Sequence, residues 1–112
     1  VLRTDRRALG RLPVGKMNKT ESAYASHLEM RRMLGEVDWY RFEGLKLRLA
    51  DNTFYTPDFA VMLADRQMEC HEVKGGFWED DARAKIKIAA SQYPFVFFGV
   101  VKTRAGWDFE SF

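Results

Sequence analysis

Two carboxylates and an amine stand close together in the middle of this chain: Asp58 within Tyr55-Thr56-Pro57-Asp58-Phe59, and Glu72 and Lys74 within Glu72-Val73-Lys74-Gly75. Those residue types are what hydrolysis of a phosphodiester with a divalent metal requires. Carboxylate oxygens hold the hard cation, the cation polarises the phosphate and acidifies a water, and the lysine neutralises charge or orients that water. Side chains alternate along a strand, so Glu72 and Lys74 share a face with Cys70, while His71 and Val73 point the other way. A hairpin of Phe59 to Leu63 with Gln67 to Val73, closed by Ala64-Asp65-Arg66, pairs Leu63 with Gln67 and sets Asp58 opposite Glu72 on the same face. A two-residue loop would place them on opposite faces, so the constellation depends on register. Taken singly, each residue has a commoner fate: Asp58 in a proline turn, Glu72 and Lys74 on a solvated strand face.

The elements that must position these groups are bounded by composition. The 112 residues, 46% hydrophobic and 14% aromatic, fit one compact domain with its own core. No apolar run is long enough to span a bilayer and no signal-peptide core opens the chain, so a cytoplasmic protein away from the membrane is expected. The lone cysteine, Cys70, excludes an internal disulfide and fits a reducing compartment. Charge is uneven: the first sixteen residues carry Arg3, Arg6, Arg7, Arg11 and Lys16 against Asp5, and the remainder holds 13 basic and 15 acidic residues. Residues 1–17 therefore read as a basic arm suited to a polyanion, or equally as a solvated leader, with residues 18–112 as the folded domain.

Asn18-Lys19-Thr20-Glu21 has the form of a capping box, and a helix is expected from there to Leu34, stopped by Gly35. Its buried stripe is read as Ala23, Tyr24, His27, Leu28, Met30 and Leu34. Glu21 has a capping role and, as a third carboxylate, could reach the metal; the two roles are compatible. Trp39 to Leu49 reads as one half-exposed strand, Asp51-Asn52 as a turn, and Thr53 to Leu63 as a strand that starts, bulges or forms an edge at Pro57. After Gly75-Gly76 a second helix opens on Glu79, Asp80 and Asp81, buries Ala82, Ile86, Ala89, Ala90 and Tyr93, and ends at Pro94. Arg83, Lys85 and Lys87 on its polar side are phosphate contacts or, as Glu79 with Arg83 and Asp81 with Lys85, helical ion pairs. Phe95 to Val101 reads as a strand buried on both faces, and Trp107 to Phe112 as one more. This order predicts an α/β single domain: a mixed central β-sheet of about five strands flanked by helices, the second helix making a parallel crossover. Zinc-type spacing and a glycine-rich phosphate loop are absent, and His27 and His71 read as packing or surface residues.

The chain resembles the PD-(D/E)XK nuclease superfamily, and within it the phage junction-resolving endonuclease I group. Tyr55-Thr56-Pro57-Asp58-Phe59, Glu72-Val73-Lys74-Gly75 and Phe77-Trp78-Glu79-Asp80-Asp81-Ala82-Arg83-Ala84-Lys85 carry the likeness, which extends from about Asn18 to Val101. The resemblance implies a restriction-endonuclease-like core and a metal-dependent DNA endonuclease. Asp58 and Glu72 would hold one or two Mg²⁺ or Mn²⁺ ions, with the Val73 carbonyl as a further ligand, Lys74 would assist the attacking water, and Glu21 would stand where that group has a first-helix glutamate near the metals. It also implies a homodimer cutting branched DNA, as a Holliday junction resolvase does, in a virus or prophage of a bacterial host. The chain departs from the pattern by the extra glycine in Gly75-Gly76, by the short stretch beyond Trp107, and over Gly35 to Glu43, which leaves Glu36 and Glu43 unassigned. Two alternatives stand beside this expectation: a nicking or end-processing nuclease on ordinary DNA, and a non-catalytic module that binds DNA or a partner protein. Paired carboxylates argue against the last, because they repel phosphate unless a cation intervenes.

Overall fold

The computed structural model describes residues 15–76 and 80–112. Arg3, Arg6, Arg7 and Arg11 of the basic arm, and Phe77-Trp78-Glu79, lie outside the described residues. The first helix, α1 (Lys19–Met33), begins at the expected capping box: Asn18 Oδ1 accepts from the Glu21 N–H at 2.8 Å, and Glu21 Oε1 accepts from the Asn18 N–H at 2.9 Å. Two of the orphan donors of a helix start are thereby satisfied. The helix stops at Gly35, whose φ of 85° suits a residue without a Cβ. Tyr24 and Leu28, four residues apart, are the side chains buried under it. Three members of the expected stripe are corrected: Ala23 is exposed, as are Met30 (50%) and Leu34 (66%). They lie around the helix from the Tyr24–Leu28 line, away from the sheet.

Two long strands expected from the sequence are each broken in two. Strand β1 (Val37–Phe42) ends before Glu43, which adopts a φ of 52°, and the chain turns over Gly44, where a Cβ would stand 3.0 Å from Arg41 Cβ. It then forms β2 (Leu47–Ala50), turns at Asn52 and returns as β3 (Thr53–Tyr55). Thr56-Pro57-Asp58 interrupts pairing again before β4 (Phe59–Leu63), since proline has no N–H to give to a ladder. Strand β5 (Met68–Lys74) follows the Ala64-Asp65-Arg66 turn, α2 (Asp80–Gln92) crosses over, and β6 (Val96–Thr103) and β7 (Gly106–Ser111) complete the chain.

The central sheet runs β1-β4-β5-β6-β7, and β2 pairs with β3 in a separate ribbon. The β5–β6 pair is parallel and the others antiparallel, so the sheet is mixed and α2 is the crossover that a parallel pair needs. One face packs Val37, Phe59, Val61, Val73 and Val100 under Tyr24 and Leu28 of α1. The other packs Cys70 and Phe97 against Ile86 and Ala89 of α2 and against Leu47, Leu49 and Tyr55 of the ribbon. Both faces of the central strands are therefore covered, which explains their continuous apolar runs. Among the described residues no helix is long and apolar enough to cross a membrane.

Candidate active site

The β4–β5 register is the one the three-residue turn requires. Phe59 pairs with His71 and Met62 with Met68, and the Leu63 N–H donates to the Gln67 carbonyl at 2.9 Å. Continued one step past Phe59, that register sets Asp58 against Glu72. There Asp58 is held twice: its carbonyl accepts from the Glu43 N–H at 2.7 Å, and its Oδ2 accepts from the Val73 N–H at 2.8 Å. The side chain thus takes a donor at the point where Pro57 has ended the ladder.

Glu72 is fixed from the ribbon. The Tyr55 hydroxyl donates to Glu72 Oε1 at 2.7 Å, and Lys74 Nζ lies 3.6 Å from Glu72 Oε2. The Glu72 side chain keeps 13% of its surface in solvent and that of Lys74 keeps 32%. Strand alternation puts Tyr55 inward with Leu47 and Leu49, so closing β2 on β3 is what delivers the hydroxyl to the acid. Tyr55 is a site residue to which motif spacing assigns no role; its inward position in an alternating strand is the signal that marks it. Burial first, then the neighbouring Glu72 carboxylate, pushes the Tyr55 hydroxyl far up, so it stays a donor.

Electrostatics at this point are unbalanced. Burial, followed by repulsion from Glu72, raises Asp58 to about 8 against the opposing pull of the Val73 N–H and of Lys74. Burial raises Glu72 as well, resisted by Tyr55 and Lys74. Glu21 adds to the repulsion on Asp58. That coupling is consistent with packing at the start of α1, because a Cβ on Gly75 would stand 3.2 Å from Thr20 Oγ1. Glu21 therefore caps its helix and also contributes negative potential at the acid pair, and a carboxylate has acceptor sites beyond the one used in the cap.

Asp58, Glu72 and Lys74 are brought together, with Glu21 in electrostatic reach. Val73 joins them through its N–H, and the other described residues named from sequence stand apart from this cluster. Lys16 is exposed ahead of α1. Arg83 donates from Nη1 to Glu110 Oε1 of β7 at 2.9 Å and makes a second bond through Nη2 to Oε2, while Glu79, its expected helical partner, lies outside the described residues. Lys85 reaches the Phe54 carbonyl at 3.5 Å, and Lys87 is exposed with its charge acting on Glu110. Glu36 pairs with Arg31 at 2.9 Å at the far end of α1. Glu43 lies beside the Asp58 backbone and accepts from the Gly15 N–H at 3.0 Å.

The donor set can be tested against a divalent cation. Among the described residues two partly buried carboxylates face one lysine, and hard oxygen donors are what Mg²⁺ and Mn²⁺ take. Among the described residues no three His, Cys, Asp or Glu side chains converge as a metal cage. Magnesium sites commonly use one or two carboxylates and complete their shell with water and substrate phosphate, so the pair fits that mode. Comparison of the chain with protein-family models, with curated proteins and with solved structures returned no match.

Proposed function

We propose that this domain is a divalent-metal-dependent endonuclease hydrolysing phosphodiester bonds of DNA, with branched or otherwise structured DNA as its substrate, in the manner of a phage-type Holliday junction resolvase. The observation that supports the reading is the acid pair: Asp58 and Glu72 are both partly buried, anchored by Val73 N–H and the Tyr55 hydroxyl, with Lys74 as the adjacent ammonium. Asp58 and Glu72 would hold Mg²⁺ or Mn²⁺, with the Val73 carbonyl and Glu21 as further candidate ligands; the ion supplies neutralisation of the scissile phosphate and acidification of water. The remaining roles belong to the chain. Val73 N–H and Tyr55 keep the two carboxylates aimed at one point, so little reorganisation is needed when phosphate arrives. Lys74, beside Glu72, orients the attacking water and neutralises charge on the non-bridging oxygens.

A resolvase cuts two strands symmetrically, so a homodimer belongs to this proposal, as does a viral or prophage setting. The basic arm, Arg3 to Lys16, and α2 through Lys85 and Lys87 are the proposed phosphate contacts. The deciding experiment offers four-way junction, linear duplex and single-stranded DNA with Mg²⁺, Mn²⁺ or EDTA, with Asp58→Ala as control. Metal-dependent cutting that disappears in the variant is expected, with the junction preferred. Equal cutting of all three would favour the nicking or end-processing reading, and DNA binding without cutting would favour a non-catalytic module.

A further inference from the structure

The ribbon that delivers Tyr55 to Glu72 has a second face. Strand alternation turns the residue before Tyr55 outward, and that residue is Phe54, 41% exposed. Arg48 is its direct cross-strand partner on the same face, and Lys46 places its ammonium 4.7 Å from the ring centroid. Lys85 of α2 comes to the same place, donating to the Phe54 carbonyl at 3.5 Å. One cation, Lys46, thus lies over the ring, Arg48 shares its face of the ribbon, and Lys85 reaches the backbone of the same residue. Arg48 also engages the carboxylate of Asp51 at 2.6 Å.

This ring is absent from both core clusters, whose ribbon members Leu47, Leu49 and Tyr55 all come from the opposite face. A lone exposed phenylalanine is ordinary. With Lys46 over it, Arg48 across from it and Lys85 at its backbone on a hydrogen-bonded ribbon, it has the make-up of a surface that takes unpaired nucleotides: a π-face for the base and cationic groups for the backbone phosphates. A paired base hides its faces within the stack, so such a ring discriminates between paired and unpaired strands.

We propose that Phe54, with Lys46, Arg48 and Lys85, is a stacking platform for an unpaired base next to the acid pair, and that it selects DNA carrying a single-stranded segment beside the cleavage point. The proposal rests on the nuclease reading for its meaning in catalysis, and on the ribbon for its geometry. Tyr55 and Phe54 are consecutive, one holding Glu72 and the other facing solvent, so a strand leaving the acid pair around the ribbon edge meets the ring and its cations.

Binding without metal tests the platform independently of cleavage. Fluorescence anisotropy in EDTA would compare a labelled linear duplex with the same duplex carrying a forked single-stranded end, for the wild-type chain, Phe54→Ala, Phe54→Trp and Lys46→Ala. Phe54→Ala should weaken fork binding by about tenfold or more, the size of one lost base stack, and leave duplex binding nearly unchanged. Phe54→Trp should restore the fork affinity and add indole emission that the fork quenches. Lys46→Ala should lower the salt slope by about one unit. Equal losses on fork and duplex, no loss on either, or no binding of any DNA by the wild-type chain would each overturn the platform. Cleavage in Mg²⁺ is scored separately: absent cutting with ring-dependent fork binding intact removes the nuclease reading alone, and cutting whose fork preference survives Phe54→Ala removes the platform alone.

Discussion

Glu72 and His71 are adjacent on β5, both ionisable and both largely withdrawn from water, yet their surroundings meet that polarity in opposite ways. His71 is fully buried under α1. The Tyr24 hydroxyl donates to its Nδ1 at 2.6 Å and its Nε2–H donates to Glu69 Oε1 at 2.8 Å, the tautomer being assigned from those partners. Phe98 and Phe109 close over the ring edge-on. Every polar atom of that imidazole has a partner, and burial keeps the Tyr24 hydroxyl protonated. On the other face Glu72 also has partners, but a second carboxylate stands beside it and, among the described residues, Lys74 is the cation that answers both. A fully paired network specifies packing. A network left with surplus charge costs stability in isolation, and such clusters concentrate where a ligand completes them. Burial alone does not separate the two; charge balance does.

That contrast can be broken most forcefully at Asp58. Asp58→Asn keeps an acceptor for the Val73 N–H while removing the carboxylate that would meet a bound cation, and cleavage should fall by about a thousandfold, the scale of losing several kcal/mol of phosphate neutralisation. The folded state of the metal-free variant should be as stable as the wild type or more so. A large loss of stability in urea would make Asp58 structural and erase the contrast.

The mirror-image substitution is His71→Ala. It opens a cavity and leaves Tyr24 and Glu69 unsatisfied, so a stability loss of about 2–4 kcal/mol is expected from denaturation midpoints. Cleavage per folded molecule should survive, and loss of turnover in a variant shown to be folded would place the imidazole in the chemistry. Tyr55→Phe is smaller. The ring still fills its place against Leu47, Leu49 and Cys70, but Glu72 loses its donor, and metal affinity should weaken by about 10–100-fold, the usual effect of removing a partner of a metal ligand. Titration of Mn²⁺ into both proteins measures it, and equal affinities would deny Tyr55 that positioning role.

The mildest effect is on pH. Asp58 is raised from 3.8 to about 8 in the folded chain, so between those values the folded state keeps a proton that the unfolded state has released. Stability of the metal-free protein should therefore decline as pH rises through that window, and Asp58→Asn should flatten the decline. Added Mg²⁺ should raise the melting temperature more at about pH 8 than at about pH 5. Melting curves with the same slope in variant and wild type would contradict the unbalanced pair.

What could be read from residues alone was whatever short-range geometry dictates. Asn18 and Glu21 are three residues apart and cap α1 because that spacing matches one helical turn. The Ala64-Asp65-Arg66 turn fixes the β4–β5 register, and register with strand alternation then brings Asp58 and Glu72 to one face. The length between Lys74 and Phe95 allows a parallel crossover, and β5 and β6 are parallel. What escaped the sequence depended on distant partners. Residues Trp39 to Leu49 alternate well enough for one strand, and only the left-handed turn at Glu43 and the separate pairing of β2 with β3 divide them. Met30 and Leu34 satisfied a helical period, but which line of α1 meets the sheet is decided by Tyr24 and Leu28 fitting over Phe59, Val61 and Val73. Tyr55 and Glu72 are seventeen residues apart, and their hydrogen bond exists because the ribbon folds over the sheet. Local spacing thus determined which groups can share a face, whereas the tertiary structure decided which of them are deprived of solvent. Burial and charge balance are sums over neighbours from the whole chain, and no stretch of sequence contains them.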